Sequence, residues 1–432
     1  MSRSGNRPPP LSREPVTVEV DGITHGGEGV TRLEGKAVFV PGALPGEQVT
    51  IRVVEDRKRW ARAALLEVVT PAADRADPPC PYVPDCGGCD LQHVTPAGQR
   101  VLKTRIVREQ LTRLGRVEDP PVAPCRAVGP DLGYRAQARL HADEHGHLGF
   151  HRAASTEVVP IEQCLVLTSG AQALRDEVGD ATGASEVRLR RFTADGHGAV
   201  VLTPGPGPLE LPGGEADLLL TQPDGRTVAM RGDGGIEVEI DGLGYQVPAM
   251  SFFQPGAEAA AALLSEVVAA AGPVDGALVW DLYAGVGLLS LGLARAGAEV
   301  VAVEGDALAT DAAVRNADRN GLHLEVRTEA VARFLRRAAG ATPAGPGTAP
   351  PDPPDVVVLD PPRTGAGAAV LTDLAALAPA AIVYVACDPA ALARDTRTLT
   401  DLGYRLDRAQ PLDLFPMTHH VEVVASFLPS VD

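Results

Sequence analysis

Apolar residues alternate with polar ones through residues 14–70 (Val16, Val18 and Val20; Val38 and Val40; Val49, Ile51 and Val53), and glycine-rich turns such as 25–29 separate the runs. A period of two buries one face of a strand, and short strands at this spacing predict a small closed, OB-like β-barrel. The period then changes. Thr95 and Pro96, followed by Val101, Leu102, Ile106, Leu111 and Leu114, supply a cap, a first-turn proline and an apolar face at helical spacing, which predicts a helix over 95–115 that Gly115 ends. From 120 to 247 the runs are strand-like with little helical periodicity, and Arg188, Arg190 and Arg191 read as an exposed strand face. From 246 onward apolar strands at 277–282, 300–303, 356–359 and 382–385 alternate with amphipathic segments, the signature of an α/β doubly wound parallel sheet. Residues 340–354, rich in Ala, Pro and Gly, read as a flexible insertion. The pattern divides the chain into a disordered tail (1–13), a barrel (14–70), a central β-rich domain (71–245) and an α/β domain (246–432).

Composition narrows the setting. With 432 residues and 45% hydrophobic content the chain can fill several cores, about three at about 150 residues each. The polar, proline-rich start is no signal peptide and no apolar run is long enough to span a membrane, so a cytoplasmic protein with reduced thiols is expected. A net charge of −17 argues against indiscriminate nucleic-acid binding but leaves room for a local basic groove. The last barrel hairpin offers Arg57, Lys58, Arg59, Trp60 and Arg62, either as a solvated face or as a cationic and stacking contact for RNA.

The cysteines carry most of the candidate chemistry. Cys80, Cys86 and Cys89 form a C-x5-C-x2-C cluster with Cys164 downstream. Four thiolates hold either tetrahedral zinc or an iron–sulfur cluster, and spacing leaves both open. Cys125 reads as a small buried hydrophobe. Cys387, alone in Val385-Ala386-Cys387-Asp388-Pro389 at the end of a predicted strand, reads as a nucleophile.

The loop 281–287 follows an apolar strand and opens a helix, with Glu304 ending the next strand, so the backbone can approach a ligand whose ribose the acid holds. Its opening Asp281 opposes a pyrophosphate and the G-x-G-x-x-G ending is incomplete, which favours S-adenosylmethionine over a dinucleotide. Asp360-Pro361-Pro362-Arg363 ends the fourth strand at the edge where ligands of such sheets bind. Cys387 lies at the same edge, before a helix whose N-terminus favours thiolate, and Glu422 begins a final strand. One chemistry joins them. Carbon 5 of a pyrimidine is too weak a nucleophile to take a methyl group until a thiolate adds at carbon 6, and a base must then remove the carbon 5 proton.

At these residues the chain resembles the bacterial RNA uracil-5-methyltransferase family, and within it the members with a TRAM domain and an iron–sulfur cluster. The resemblance spans nearly everything after residue 13. It is carried by Phe39-Val40-Pro41-Gly42 and onward to Glu47, Cys86-Gly87-Gly88-Cys89-Asp90-Leu91-Gln92-His93, Ser251-Phe252-Phe253-Gln254-Pro255, the 281–287 loop, Asp360-Pro361-Pro362-Arg363, and the surroundings of Cys387 and Glu422. It implies a class I methyltransferase (Rossmann-like) sheet, a TRAM barrel that binds RNA and a central iron–sulfur domain, with helix 95–115 packing back onto the catalytic domain. By the same resemblance Cys387 is the nucleophile and Glu422 the base; Gln254, Tyr283, Glu304 and Asp360 hold S-adenosylmethionine; and Cys80, Cys86, Cys89 and Cys164 hold a [4Fe-4S] cluster with a structural or RNA-folding role. Asp388 stands where many members have Asn, and the usual polar adenine contact near Ala330 is missing, with Glu329 a substitute. The implied activity is methylation of carbon 5 of a uridine in structured RNA, namely 23S rRNA, by a monomer with no membrane partner. A tRNA (uracil-5-)-methyltransferase is the alternative, although the simpler tRNA enzymes usually lack barrel and cluster. A non-catalytic RNA-binding iron–sulfur protein is opposed by the intact Cys387 and Glu422.

Overall fold

The computed structural model describes residues 11–340 and 351–430. Among them, six strands between Val16 and Thr70 form one sheet whose two edges, Val16–Glu19 and Gly22–Ile23, follow each other in the chain. The Thr31 hydroxyl donates to the Glu19 carbonyl (2.6 Å), so the sheet curls onto itself. Val49, Ile51 and Val53 point into its core while Arg52 and Val54 face water, as the alternating pattern predicts. Leu11 departs from the tail reading. It is buried in this core and its N–H donates to Asp56 (2.9 Å), a contact that one apolar residue after a polar run does not announce. Residues 1–10, and 341–350 of the expected insertion, lie outside the described residues. In the hairpin, Arg57, Lys58 and Arg59 are exposed, whereas Trp60 leans on Phe39 (ring centroids 5.9 Å) and Arg62 pairs with Glu28 (3.0 Å).

The helix after the cysteine segment is Pro96–Arg113, capped by the Thr95 hydroxyl, which accepts the Gly98 N–H (3.2 Å). Its buried side mixes Ile106, Val107 and Leu111 with the polar Gln99 and Lys103, while Val101 and Leu114, read as part of the apolar face, are exposed. Val107 and Leu111 pack beneath the C-terminal sheet, against the helix Pro389–Asp401. Ile106 meets Ile23 and Leu44 of the barrel and Leu91 and Val94 of the cysteine segment. At the centre, Lys103 Nζ lies 2.5 Å from Asp413 Oδ1 and donates to the Phe415 carbonyl (3.0 Å), with both charged side chains removed from water.

The central region is a seven-stranded sheet from Gln137–Ala142 to Thr227–Arg231. One face is covered by the helix Ser169–Val178, whose short apolar stripe (Ala171, Leu174, Val178) escaped the sequence reading. Arg190 corrects another expectation. It is buried rather than exposed, donating to Gln137 Oε1 (2.7 Å) and to the carbonyls of Pro248 (3.0 Å) and Ser251 (2.8 Å), because residues 248–253 cover that strand face.

The C-terminal sheet runs Glu325–Thr328, Glu299–Glu304, Leu278–Leu282, Val356–Leu359, Ala381–Ala386, Glu422–Pro429, Tyr404–Asp413, Arg126–Ala127. The first five strands are parallel, and Glu422–Pro429 runs antiparallel to both neighbours. Helices on the two faces enclose two cores, one around Leu263, Leu291 and Val358 and the other around Trp280, Phe334 and Leu392. The boundary expected at 246 cuts a hairpin, Gly235–Ile240 with Leu243–Pro248, whose Ile240, Leu243 and Tyr245 belong to the first of these cores. Arg126–Ala127 joins the sheet edge from still earlier in the chain. Among the described residues no helix is long and apolar enough to cross a membrane.

Truncating one partner of a buried ion pair strands the other charge. Lys103→Ala is therefore expected to destabilise the protein by about 3–5 kcal/mol. The midpoint of urea unfolding reads this, and Lys103→Met combined with Asp413→Leu should recover most of the loss.

Candidate active site and four-cysteine site

Strand register brings the expected nucleophile and base together. Val385 pairs with Val424 and Ala386 with Val423, so Cys387 and Glu422 are the next opposed positions, where Cβ atoms of facing residues stand about 5 Å apart. Asp360 follows the adjacent strand Val356–Leu359, and its N–H donates to the Leu282 carbonyl (3.2 Å). Three strand ends thus gather one thiol and two carboxyls at one edge. Burial, reinforced by the Asp360 carboxyl and opposed by Arg363, holds the pKa of Glu422 well above the usual carboxylate value. Asp360 is pushed up to about 7 by burial and by Asp281. Two neighbouring carboxyls in a poorly solvated site resist ionising together.

The surroundings of Cys387 oppose the expected thiolate. Burial, then Glu422 and Asp360, push its thiol up to about 12, with Arg363 opposing. At the helix terminus beside it, Asp388 Oδ1 accepts the N–H of Ala391 (2.6 Å). An asparagine carbonyl caps a helix in the same way, so the departure at this position preserves the local structure. Arg363, exposed at the rim, is the cation facing Cys387, Glu422 and His420, a role the sequence reading passed over although the two prolines before it fix its direction. His420 is pushed down to about 4 by burial, His419 and Arg363, and is neutral at pH 7.

Gln254, Tyr283, Gly285 and Asp360 line one cavity of about 390 Å³ with Phe252 and Phe253. Glu304 lies behind the loop, its carboxylate accepting the N–H groups of Gly285 (3.1 Å) and Asp306 (2.9 Å). Gln254 is buried, and its Oε1 has no hydrogen-bond partner among the described residues, a vacancy suited to a ligand that donates. Tyr283 sits at φ 65, a strained conformation for a residue with a side chain. At Gly287 (φ 86) an added Cβ would approach the Leu291 side chain to 2.9 Å, so this turn requires glycine. Asp281 is wholly buried beneath the loop and bonded to Ser290 (2.5 Å). Glu329, considered as a substitute adenine contact, is taken by Arg337 through both carboxylate oxygens (2.6 and 2.8 Å).

Cys80, Cys86, Cys89 and Cys164 line a second cavity, of about 440 Å³. The N–H of Cys80 donates to Gln92 (3.2 Å) and that of Cys164 to Gln172 (3.0 Å), which fixes the backbone on both sides. Among the described residues no three His, Cys, Asp or Glu side chains are grouped as ligands of one metal ion, these four included. Cys125, between Cys89 and Cys164 in the chain, is buried and does not line this cavity. A third cleft, of about 810 Å³, lies between the central sheet and the cofactor cavity; Arg135, Arg139, Arg188 and the 75% exposed Phe252 line it.

Residues 12–66 match the TRAM domain family, and residues 354–428 match the family described as tRNA (Uracil-5-)-methyltransferase. The chain is 35% identical to an uncharacterized RNA methyltransferase of Streptomyces avermitilis, over 96% of this chain and 99% of that protein. It is 34% identical to the 23S rRNA (uracil(1939)-C(5))-methyltransferase RlmD of Aeromonas salmonicida, over 98% of each. The crystal structure of Pyrococcus abyssi tRNA (uracil-54, C5)-methyltransferase in complex with S-adenosyl-L-homocysteine shares the fold with a TM-score of 0.73 and 24% identity, covering 95% of this chain and 99% of that one.

A thiol raised this far is alkylated slowly near neutrality. The rate of iodoacetamide labelling at Cys387, read by peptide mass spectrometry on the free protein, is expected to climb about tenfold per pH unit from about pH 7 to about pH 10 without levelling. An ordinary thiol, titrating at about 8.5, would level off within that range.

Proposed function

The chain belongs to the family of S-adenosylmethionine-dependent RNA (uracil-5-)-methyltransferases, and on that premise we propose that it methylates one uridine of 23S rRNA through a covalent bond from Cys387. The observation that carries the mechanism is the facing of Cys387 and Glu422 across neighbouring strand ends, beside the cavity that Gln254, Tyr283 and Asp360 line. The choice of 23S rRNA is supported by the end-to-end match to a relative of that activity. A tRNA substrate is favoured by the name of the C-terminal family and by the archaeal structure, neither of which matches this chain as closely over its whole length.

Carbon 5 of uracil gains its nucleophilicity from this chain. The Cys387 sulfur adds to carbon 6, and the displaced electron pair moves into the ring as an enolate whose carbon 5 can attack. S-adenosylmethionine, when bound by Gln254, Tyr283, Glu304 and Asp360, supplies an electrophilic methyl group. Once carbon 5 carries that methyl, Glu422 removes the remaining proton, the electrons return to the ring, and the carbon 6–sulfur bond breaks to release Cys387. Burial raises the proton affinity of Glu422 above that of an ordinary carboxylate, which suits a proton acceptor. Because burial, Glu422 and Asp360 push the Cys387 thiol up, its proton passes to water as the sulfur adds to carbon 6.

RNA would reach the site along the arginine-lined cleft, where exposed Phe252 offers a face for a flipped base. The barrel's exposed Arg57, Lys58 and Arg59 add a second cationic contact. The four cysteines that line one cavity support a [4Fe-4S] cluster as the resident group, with zinc the alternative that four thiolates also admit. The methyl transfer needs no electron, so the group would order the segment 80–92. The reading assigns a cytoplasmic monomer, with the barrel and central domain serving the substrate and the C-terminal domain the chemistry.

Cys387→Ala is expected to lower methyl transfer on the order of 10⁴-fold or more while calorimetric binding of S-adenosylmethionine persists. Glu422→Gln is expected to accumulate a slow-migrating protein–RNA adduct that requires both the methyl donor and Cys387. Normal turnover by either variant contradicts the mechanism. Anaerobically purified protein is expected to be brown, with broad absorption at about 400 nm; a colourless protein holding stoichiometric zinc contradicts the cluster.

A further inference from the structure

The base of the reaction starts its strand, and the residues before it, 414–421, belong to no strand or helix. Remote parts of the chain hold them instead. Lys103 Nζ donates to the Phe415 carbonyl (3.0 Å), the Tyr134 hydroxyl to the Pro416 carbonyl (3.0 Å), and Met417 N–H to Gln99 Oε1 (2.7 Å). The Met417 carbonyl accepts the N–H groups of Asp90 (3.1 Å) and Leu91 (3.0 Å). Met417 sits at φ 66, costly for a residue with a side chain, and packs with Tyr134 and Val166 against Cys89 and Cys164. Beyond it, His419 donates its N–H to Asp90 Oδ1 (2.7 Å), and its ring Nδ1 meets Asp90 Oδ2. The barrel closes on the same point, for a Cβ added to Gly27 would lie 3.0 Å from His419 Cβ.

We propose that Asp90 is a positioning residue for methyl transfer, setting through His419 the approach of Glu422 to the carbon 5 proton. This rests on Glu422 being the base. His419 is the last residue tethered to the cysteine segment before the strand begins, so its release loosens 419–421 and the carboxyl they lead to. Cys387 follows a strand that also pairs with Val356–Leu359, on the side away from Glu422, and is held from behind by the capped helix after it. Loss of Asp90 should therefore spare addition at carbon 6 and slow elimination, a separation that general unfolding would not produce.

The test uses the full chain with unmethylated rRNA from a strain lacking the gene, comparing Asp90→Ala, Asp90→Asn, His419→Ala and the Asp90→Ala/His419→Ala pair with Glu422→Gln. Asp90→Ala and His419→Ala are each expected to lower kcat roughly tenfold to a hundredfold, with KM for RNA and affinity for the methyl donor changed by less than about twofold. Both should accumulate the Cys387 adduct to a level between wild type and Glu422→Gln. The double variant should be no slower than either single one, and Asp90→Asn, whose amide oxygen can still accept the His419 N–H, should recover most of the rate. Unchanged kcat, a raised KM at unchanged kcat, or slowing without adduct overturns the proposal. So does a defect confined to Asp90→Ala with lost iron, because His419 lies outside the cysteine segment. Absence of adduct from Glu422→Gln overturns the functional reading itself, whereas adduct from Glu422→Gln and none from the other variants overturns the positioning role alone.

Discussion

Lys103 and Asp413 lie 2.5 Å apart and almost wholly out of contact with water, a placement in which neither charge is tolerable without the other. The pair joins the helix that leaves the cysteine segment to the strand that ends just before the catalytic loop. Because the same helix presses Ile106 against the barrel and Val107 against the C-terminal core, one element sets barrel, cysteine segment and sheet edge in register. Arg75 extends the arrangement from the other side, donating to the buried Glu47 of the barrel (2.5 and 2.8 Å) and to the Gly42 carbonyl (2.7 Å). The central region closes it through Tyr134 and Arg190, whose hydrogen bonds reach the catalytic loop and the turn beside the cofactor cavity.

The chemistry depends on poor solvation at the edge so assembled. In water Glu422 and Asp360 would both ionise and Cys387 would be an ordinary thiol; here each carboxyl raises the proton affinity of its neighbours and Arg363 partly opposes them. A proton acceptor of raised affinity suits the proposed covalent addition and elimination. The net charge of −17 is compatible with an RNA substrate because cations are gathered locally, in the cleft beside Phe252 and on the barrel hairpin, where the proposed path of RNA runs.

What could be read from the sequence was whatever a short period or a strand end expresses. Alternating valines announced the barrel, apolar runs announced the parallel strands, and residues such as Asp360, Cys387 and Glu422 stood out because chemistry at the edge of such a sheet belongs at strand ends. Leu11, the helix Ser169–Val178 and the burial of Arg190 were hidden because each depends on what covers it. The domain boundary was misplaced because a hairpin earlier in the chain packs on a later core. The thiolate expected of Cys387 is opposed first by burial and then by carboxyls at the ends of two other strands, neither of which a linear pattern shows. Contacts such as Asp90 with His419, 329 positions apart, leave no periodic trace at all.

The central claim is that uracil becomes bonded to Cys387 during turnover. Fluorine at carbon 5 leaves no proton for a base to remove, so rRNA transcribed with 5-fluorouridine should arrest the wild-type enzyme after methyl transfer. Digestion and tandem mass spectrometry are then expected to find a methylated fluorouracil on the peptide that contains Cys387, and only when S-adenosylmethionine is present. Methylation without an adduct, or an adduct on any other cysteine, would contradict the account.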